Sequence, residues 1–120
     1  VATIAGLGPG LTPSGDDFLA GVMVASRLVE DASRFNVPHV IFETASARTN
    51  RISRAFLRAA RDGEVDERWH RLLAALAGEE SAYLEQRTLE QRTRAILDFG
   101  ASSGLDMLAG FLWFCDLAIT

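Results

Sequence analysis

Lysine is absent from this sequence; all 12 basic residues are arginine. That excludes a P-loop lysine, a Schiff base and a lysine general base together. Cysteine is nearly absent as well. Cys115 alone cannot form an internal disulfide, and two histidines without a second thiol do not make an ordinary structural zinc site. This thiol usage predicts a reducing, intracellular compartment, taken as cytoplasmic, and Cys115 itself reads as a buried, inert thiol in an apolar helix. Positive charge is in deficit, with a net charge of −4. Non-specific nucleic-acid binding draws on clustered positive charge, so nucleic acid is not an expected partner. The longest apolar stretch, Met107 to Ile119, is broken by Asp116 and falls short of the about 20 residues that span a bilayer. It reads as a buried core helix, and no membrane association is expected.

What is present suffices for one domain: 120 residues, 48% of them hydrophobic, fill one core of ordinary size. The chain opens at Val1 and enters a motif within a few residues, so the expectation is a single helical domain, 1–120, from the C-terminal part of a longer protein. Gly6, Gly8, Gly10, Pro9 and Pro13 are too dense for a helix or central strand and predict a shaped loop over residues 1–13. A helix follows from Gly15 to about Asp31, with Phe18, Leu19, Val22, Met23, Ala25, Ser26 and Val29 on a broad face. The run His39-Val40-Ile41-Phe42 after Pro38 fits either a short extended piece or another buried helix.

From Asn50 to Asp62, Ile52, Phe56 and Ala59 oppose Arg51, Arg54, Arg58 and Arg61, which predicts an amphipathic helix stopped by Gly63. Another runs from Asp66 to Ala77 with Trp69, Leu72, Leu73 and Leu76 on one face. Two more are predicted from about Ser81 to Phe99 and from near Ser103 to the terminus. The fold class is all-α, a single compact domain of about five to six helices with a glycine-rich N-terminal loop. The pentapeptide LEQRT occurs in tandem at 84–88 and 89–93. Five residues turn a helix by about 500°, leaving Leu84 and Leu89 roughly 140° apart, so the pair reads as a local duplication on a solvated face.

A longer internal match carries more information. S-G-D-D-F-L-A-G at 14–21 and S-G-L-D-M-L-A-G at 103–110 agree at six of eight positions. Ser14 with Asp17, and Ser103 with Asp106, have the spacing of a helix start in which hydroxyl and carboxylate cap reciprocally. That is one reading. The other begins from Gly21 and Gly110, on the same helical face as the two acids, where a missing side chain lets two helices cross closely. If they cross there, both N-termini converge and present partial positive charge to a phosphate or carboxylate. Gly8, Gly10, Gly15 and Gly104 would contribute backbone N–H groups, and Thr12, Ser14, Ser102 and Ser103 would orient the ligand. Asp16 has no counterpart in the second copy, where Leu105 stands. Beside its plain effect on a helix dipole, it suits a proton-transfer role or a Mg²⁺ ion shared with ligand phosphate, the only cofactor suggested.

The remaining polar residues are less pointed. The arginine row 51, 54, 58 and 61 reads first as a solvated face and second as an anion-facing one. Thr49 and Ser53 bracket a helix start and either cap it or donate to a ligand. His39 and His70 have no acid–base framework nearby in sequence.

At GLGPGLTPSGDDFLAG, TNRIS, DGEV and GASSGLDMLAG the chain resembles a bacterial family associated with the AllH-like subunit of oxamate carbamoyltransferase. The resemblance covers nearly the whole chain apart from residues 32–48 and 78–95. It implies a multi-subunit enzyme of anaerobic allantoin breakdown, interconverting oxalurate plus phosphate with oxamate plus carbamoyl phosphate. Relatives often carry His where Ala101 stands. Two functions follow. In the first, the 6–17 loop and the 100–106 helix start jointly bind a small anion (phosphate, carbamoyl phosphate or oxamate-like), with Asp16, Asp17 and Asp106 as catalytic or metal-holding carboxylates. On that reading Asp16→Asn stops turnover without moving the melting temperature. In the second, the chain is a non-catalytic module, and the same small-residue crossings organise partner subunits or a homo-oligomer.

Overall fold

The computed structural model describes residues 1, 3–8, 12–28, 36–77, 85–100 and 102–119. Among them are six helices and no strand: α1 (Ser14–Ser26), α2 (Val37–Ser46), α3 (Arg51–Arg61), α4 (Glu67–Leu76), α5 (Glu85–Leu97) and α6 (Ser103–Ile119). The radius of gyration, 14.1 Å, is close to the about 13.6 Å of a compact chain of this length.

Local chemistry sets most of the boundaries. The His39 run is helical: α2 starts after Asn36, with Pro38 in its first turn, and buries Ile41, Phe42 and Ala45. Asn50 caps α3 by accepting the Ser53 N–H at 2.8 Å, and the helix ends at Gly63, whose φ of +80° disfavours any side chain. Asp66 caps α4 through the Arg68 N–H at 2.9 Å. α1 stops at Ser26, earlier than its apolar pattern predicts, with Arg27 and Leu28 in a turn. The rest of that expectation, and the predicted start at Ser81, lie outside the described residues.

Burial corrects two readings of helix faces. In α3 the buried positions are Ser53, Leu57 and Ala60, whereas Ile52 and Phe56 are 46% and 57% exposed. α6 is not a buried core helix throughout. Leu108 and Phe111 are buried, but Leu105, Leu112, Trp113 and Leu117 are each more than half exposed. Cys115 is half-buried against the second core cluster, and burial pushes its thiol pKa up.

α1 is the central element. Leu19, Ala20, Val22 and Met23 join a core cluster with Ile41, Phe42, Ala45 and Leu57. Val24 and Ala25 join a second with Trp69, Leu72, Ile96, Leu108 and Phe111. The main helix pair is α1 with α6, and their contact is reciprocal. A Cβ on Gly21 would collide with the Met107 carbonyl oxygen, and one on Gly110 would collide with that of Phe18. Phe18 and Met107 occupy the same place in the two sequence copies, so each copy seats its glycine on the other's backbone. Glycine is required because carbonyl and Cα share the space a methyl group would need.

Candidate functional site

The shared structure reaches further back than the sequence match. Gly15 donates its N–H to Leu7 O at 2.9 Å, and Gly104 donates to Phe99 O at 3.1 Å. Leu7 N–H returns to Ile4 O at 3.1 Å, and Phe99 N–H to Ile96 O at 3.0 Å. Gly8 and Gly100 follow in the left-handed region at φ +114° and +65°. The unit is therefore Ile-x-x-x-Gly, a connection, and Ser-Gly-x-Asp, and the connection is longer in the first copy's sequence than in the second's. The matching Ile-to-Gly spacing is present in the sequence, but the unequal turns hide the alignment.

These turns meet. Thr12 Oγ1 lies 3.2 Å from Ser103 Oγ and donates to Asp17 Oδ2 at 3.2 Å, and Ser103 also hydrogen-bonds Asp17. Asp17 lies beside its repeat counterpart Asp106, near enough to feel its charge. Asp106 Oδ2 is buried, with no hydrogen-bond partner among the described residues. Burial, opposed by the Ser103 and Thr12 hydrogen bonds and assisted by the charges of Asp106 and Asp16, raises the Asp17 carboxyl to about 6. The capping arrangement read from Ser14 and Asp17 does not form. Pro13 occupies the cap position without a side-chain bond, Ser14 is the first helical residue, and Asp17 turns to Thr12 and Ser103 instead.

Asp16 faces the other way. Its Oδ1 accepts the Gly6 N–H at 2.8 Å. Its Oδ2 accepts the Ser53 hydroxyl at 2.5 Å and that of Thr49. At 2% exposure it ties the N-terminal loop and the start of α3 to α1, which is also where Thr49 and Ser53 spend their hydroxyls. The N–H groups of Gly15 and Gly104 are spent on carbonyls, so what these glycines supply is close approach of turn to helix. Gly8 and Ser102 are exposed, and Ser14 is half-buried; Gly10 lies outside the described residues.

Thr12, Asp17 and Ser103 form part of the wall of a cleft of about 470 Å³. Ile52, Phe56, Trp69, Ile96, Phe99 and Met107 supply its apolar wall, and Glu64, Asp66 and Arg68 its remaining charges. The exposed face of α3 is thus a cleft wall, which helical periodicity alone could not distinguish from a core face. Arg68 lies 5.1 Å over the Phe99 ring and 3.7 Å from Asp66. The arginines of α3 face elsewhere: Arg54 bonds Ser46 O and Thr49 O, and Arg58 and Arg61 lie over Phe42. His39 pairs with Glu43 on the surface, and His70 is exposed. Among the described residues no three His, Cys, Asp or Glu side chains gather as a metal site, and no helix is long and apolar enough to cross a membrane.

The chain is an all-helical domain built on crossed copies of one helix start, with a carboxyl opening on a cleft. Residues 4–115 match the family described as oxamate carbamoyltransferase subunit AllH, and the chain belongs to that family. No curated protein and no solved structure gives a significant match. Family membership makes other subunits of a carbamoyltransferase its partners.

Proposed function

We propose that the cleft is a ligand site of the carbamoyltransferase and that the Thr12–Asp17–Ser103 cluster binds the amino end of the carbamoyl or amide group of its reactants. Carbamoyl phosphate and oxamate both carry an amino group on a carbonyl carbon, and both belong to the small-anion class that the family resemblance implies. The observation that carries this reading is the convergence of two distant helix starts on one buried carboxyl at a cleft. Its hydroxyls already point at Asp17, so the cluster offers a carboxylate and lone pairs, which suit N–H donors. The oxyanion halves of these ligands would be met by other donors, from the Gly8 loop or a partner subunit.

The oxamate amide nitrogen attacks the carbamoyl carbon of carbamoyl phosphate, a C–N bond forms, the C–O bond to phosphate breaks, and the nitrogen loses a proton. Asp17, ionised above about pH 6, is suited to accept that proton. Asp106 supports Asp17 by its charge, and Asp16 holds the loop that carries Thr12. The test is turnover of the reconstituted assembly with Asp17→Asn: kcat falls by at least about 100-fold, within the usual general-base range, while assembly persists. Unchanged kcat would reject the site.

A second reading, an interaction module, has its own observation. Asp16 is covered by α3, but its counterpart Leu105 is 55% exposed, on the same helix as exposed Leu112, Trp113 and Leu117. That face of α6 suits a partner subunit, and it lies on a different surface from the cleft wall, so both roles fit one chain.

A further inference from the structure

We infer that Arg68 receives the oxyanion end of the reactant whose amino end lies on Asp17, taking up its carboxylate or phosphate in exchange for the contact with Asp66. This rests on the reading of the Thr12–Asp17–Ser103 cluster given above. It names the cation that the same cleft supplies for the other half of the molecule, with the Gly8 loop or a partner subunit completing the shell.

Charge selects the residue. Asp17, Glu64 and Asp66 line the cleft, and Arg68 is the one cation among its described lining residues. An oxyanion placed in this space away from Arg68 would meet carboxyl groups without a compensating charge. The arginines of α3 are turned elsewhere: Arg54 donates to Ser46 O and Thr49 O, and Arg58 and Arg61 lie over Phe42.

Position within α4 points the same way. Arg68 is the second residue of that helix, in the first turn, where the helix dipole opposes a cation. Helix stability favours an acid there, as at Glu67, so the helix that carries Arg68 does not account for its charge.

The guanidinium is also held without being consumed. It lies 5.1 Å over the Phe99 ring, a contact that orders the side chain and leaves N–H donors for a planar oxyanion. Its separation from Asp66, 3.7 Å, is too long for a hydrogen bond, and the two side chains are 46% and 42% exposed. Exposed pairs of this kind contribute little, so an incoming oxyanion can displace Asp66. Phe99 further joins the two ends of the site. Its carbonyl accepts the Gly104 N–H at 3.1 Å, closing the turn that presents Ser103 to Asp17. One turn therefore carries both the hydroxyl at the amino-end cluster and the ring against which the cation rests.

The experiment uses the reconstituted assembly and three probes: oxamate, inorganic phosphate, and oxamide, in which a second neutral amide replaces the oxamate carboxylate. Each is titrated by calorimetry into the parent, Arg68→Gln, Asp66→Asn and Asp17→Asn. Arg68→Gln is expected to weaken oxamate, phosphate or both by at least about tenfold and to leave oxamide within about twofold. Which anion responds distinguishes a carboxylate subsite from a phosphate one, and retained oxamide binding reports an intact cleft. Asp66→Asn keeps the α4 cap, because the amide oxygen can still accept the Arg68 N–H. By releasing the guanidinium it is expected to tighten the same anion about twofold to fivefold. Anion binding indifferent to Arg68→Gln, oxamide weakened as much as oxamate, or Asp66→Asn without tightening would each overturn the inference. Loss of anion binding in Arg68→Gln, with oxamide indifferent to Asp17→Asn, would keep the Arg68 subsite and reject the amino-end reading of the cluster. Absence of binding by any probe would overturn both.

Discussion

Two adjacent carboxylates in one helical turn do opposite work. Asp16 is saturated by Gly6, Thr49 and Ser53; Asp17 bonds two hydroxyls and opens on the cleft. Asp16→Ala would leave three donors in the interior without an acceptor, at a cost of about 3 kcal/mol or more. Urea unfolding measures it, and a loss below about 1 kcal/mol would show that the three contacts do not hold the loop. The same contacts bear on Asp16→Asn, whose amide would turn an N–H₂ group toward one of the two sets of donors that the carboxylate oxygens accept. Asp17 behaves in the reverse sense. Its folded pKa, about 6, lies above the ordinary 3.8, so its stabilising contribution is complete below about pH 4 and is lost as pH rises through 6. Asp17→Asn should remove that loss, flattening stability between about pH 4 and 7 and gaining at most about 3 kcal/mol at neutral pH. A variant whose stability falls as steeply as the parent's over that range would refute the assignment.

At the scale of elements, five of the six helices are legible in the sequence from apolar spacing, with Asn50, Asp66 and Gly63 marking the ends of α3 and the start of α4; α2 is not, because four residues after Pro38 fit an extended piece as well as a helix. The faces are less legible. Ile52, Phe56 and Ala59 have the spacing of a core stripe, yet Leu57 and Ala60 fill the core and the others line a cleft. Periodicity reports which residues avoid water and is blind to whether protein or ligand excludes it. The meeting of the two repeats can be foreseen from Gly21 and Gly110, because glycine on one helical face has few other uses. The direction of Asp16 cannot, because Thr49 and Ser53 are distant in sequence and donate only once α3 docks. The LEQRT copies are partly legible: Thr88, which ends the first copy, is buried and Leu89, which opens the second, packs on the second cluster, so neither copy is wholly on a solvated face, while Leu84 lies outside the described residues. The crossing itself predicts severe effects from small changes. Gly21→Ala or Gly110→Ala forces backbone from backbone and should cost about 3 kcal/mol, at or beyond the upper end of ordinary overpacking. Thermal unfolding of either variant tests this, and a shift within about 1 °C would mean that the helices part more easily than their contacts imply.

For the molecule as a whole, family membership makes the chain one subunit among others, and its surface has two separate features, the cleft and an exposed apolar face. The cleft uses α1, α3, α4, the end of α5 and the start of α6; Leu105, Leu112, Trp113 and Leu117 lie exposed along α6. Replacing Leu112 and Leu117 together by serine should weaken association with partner subunits at least tenfold and leave the melting temperature of the isolated chain within about 2 °C, because each side chain is more than half exposed. Co-purification of the full assembly measures the first effect and a thermal melt the second. Intact assembly would remove α6 from the interface.

The glycine-on-carbonyl joint between α1 and α6 bears on how those two surfaces could communicate. Ordinary helix pairs are cushioned by side chains that change rotamer when one partner is pushed. Here main chain rests on main chain at both points, and nothing flexible lies between them. A subunit leaning on the outer side of α6 would therefore displace the first turns around Asp17 as a lever moves its far arm, with little of the motion lost on the way.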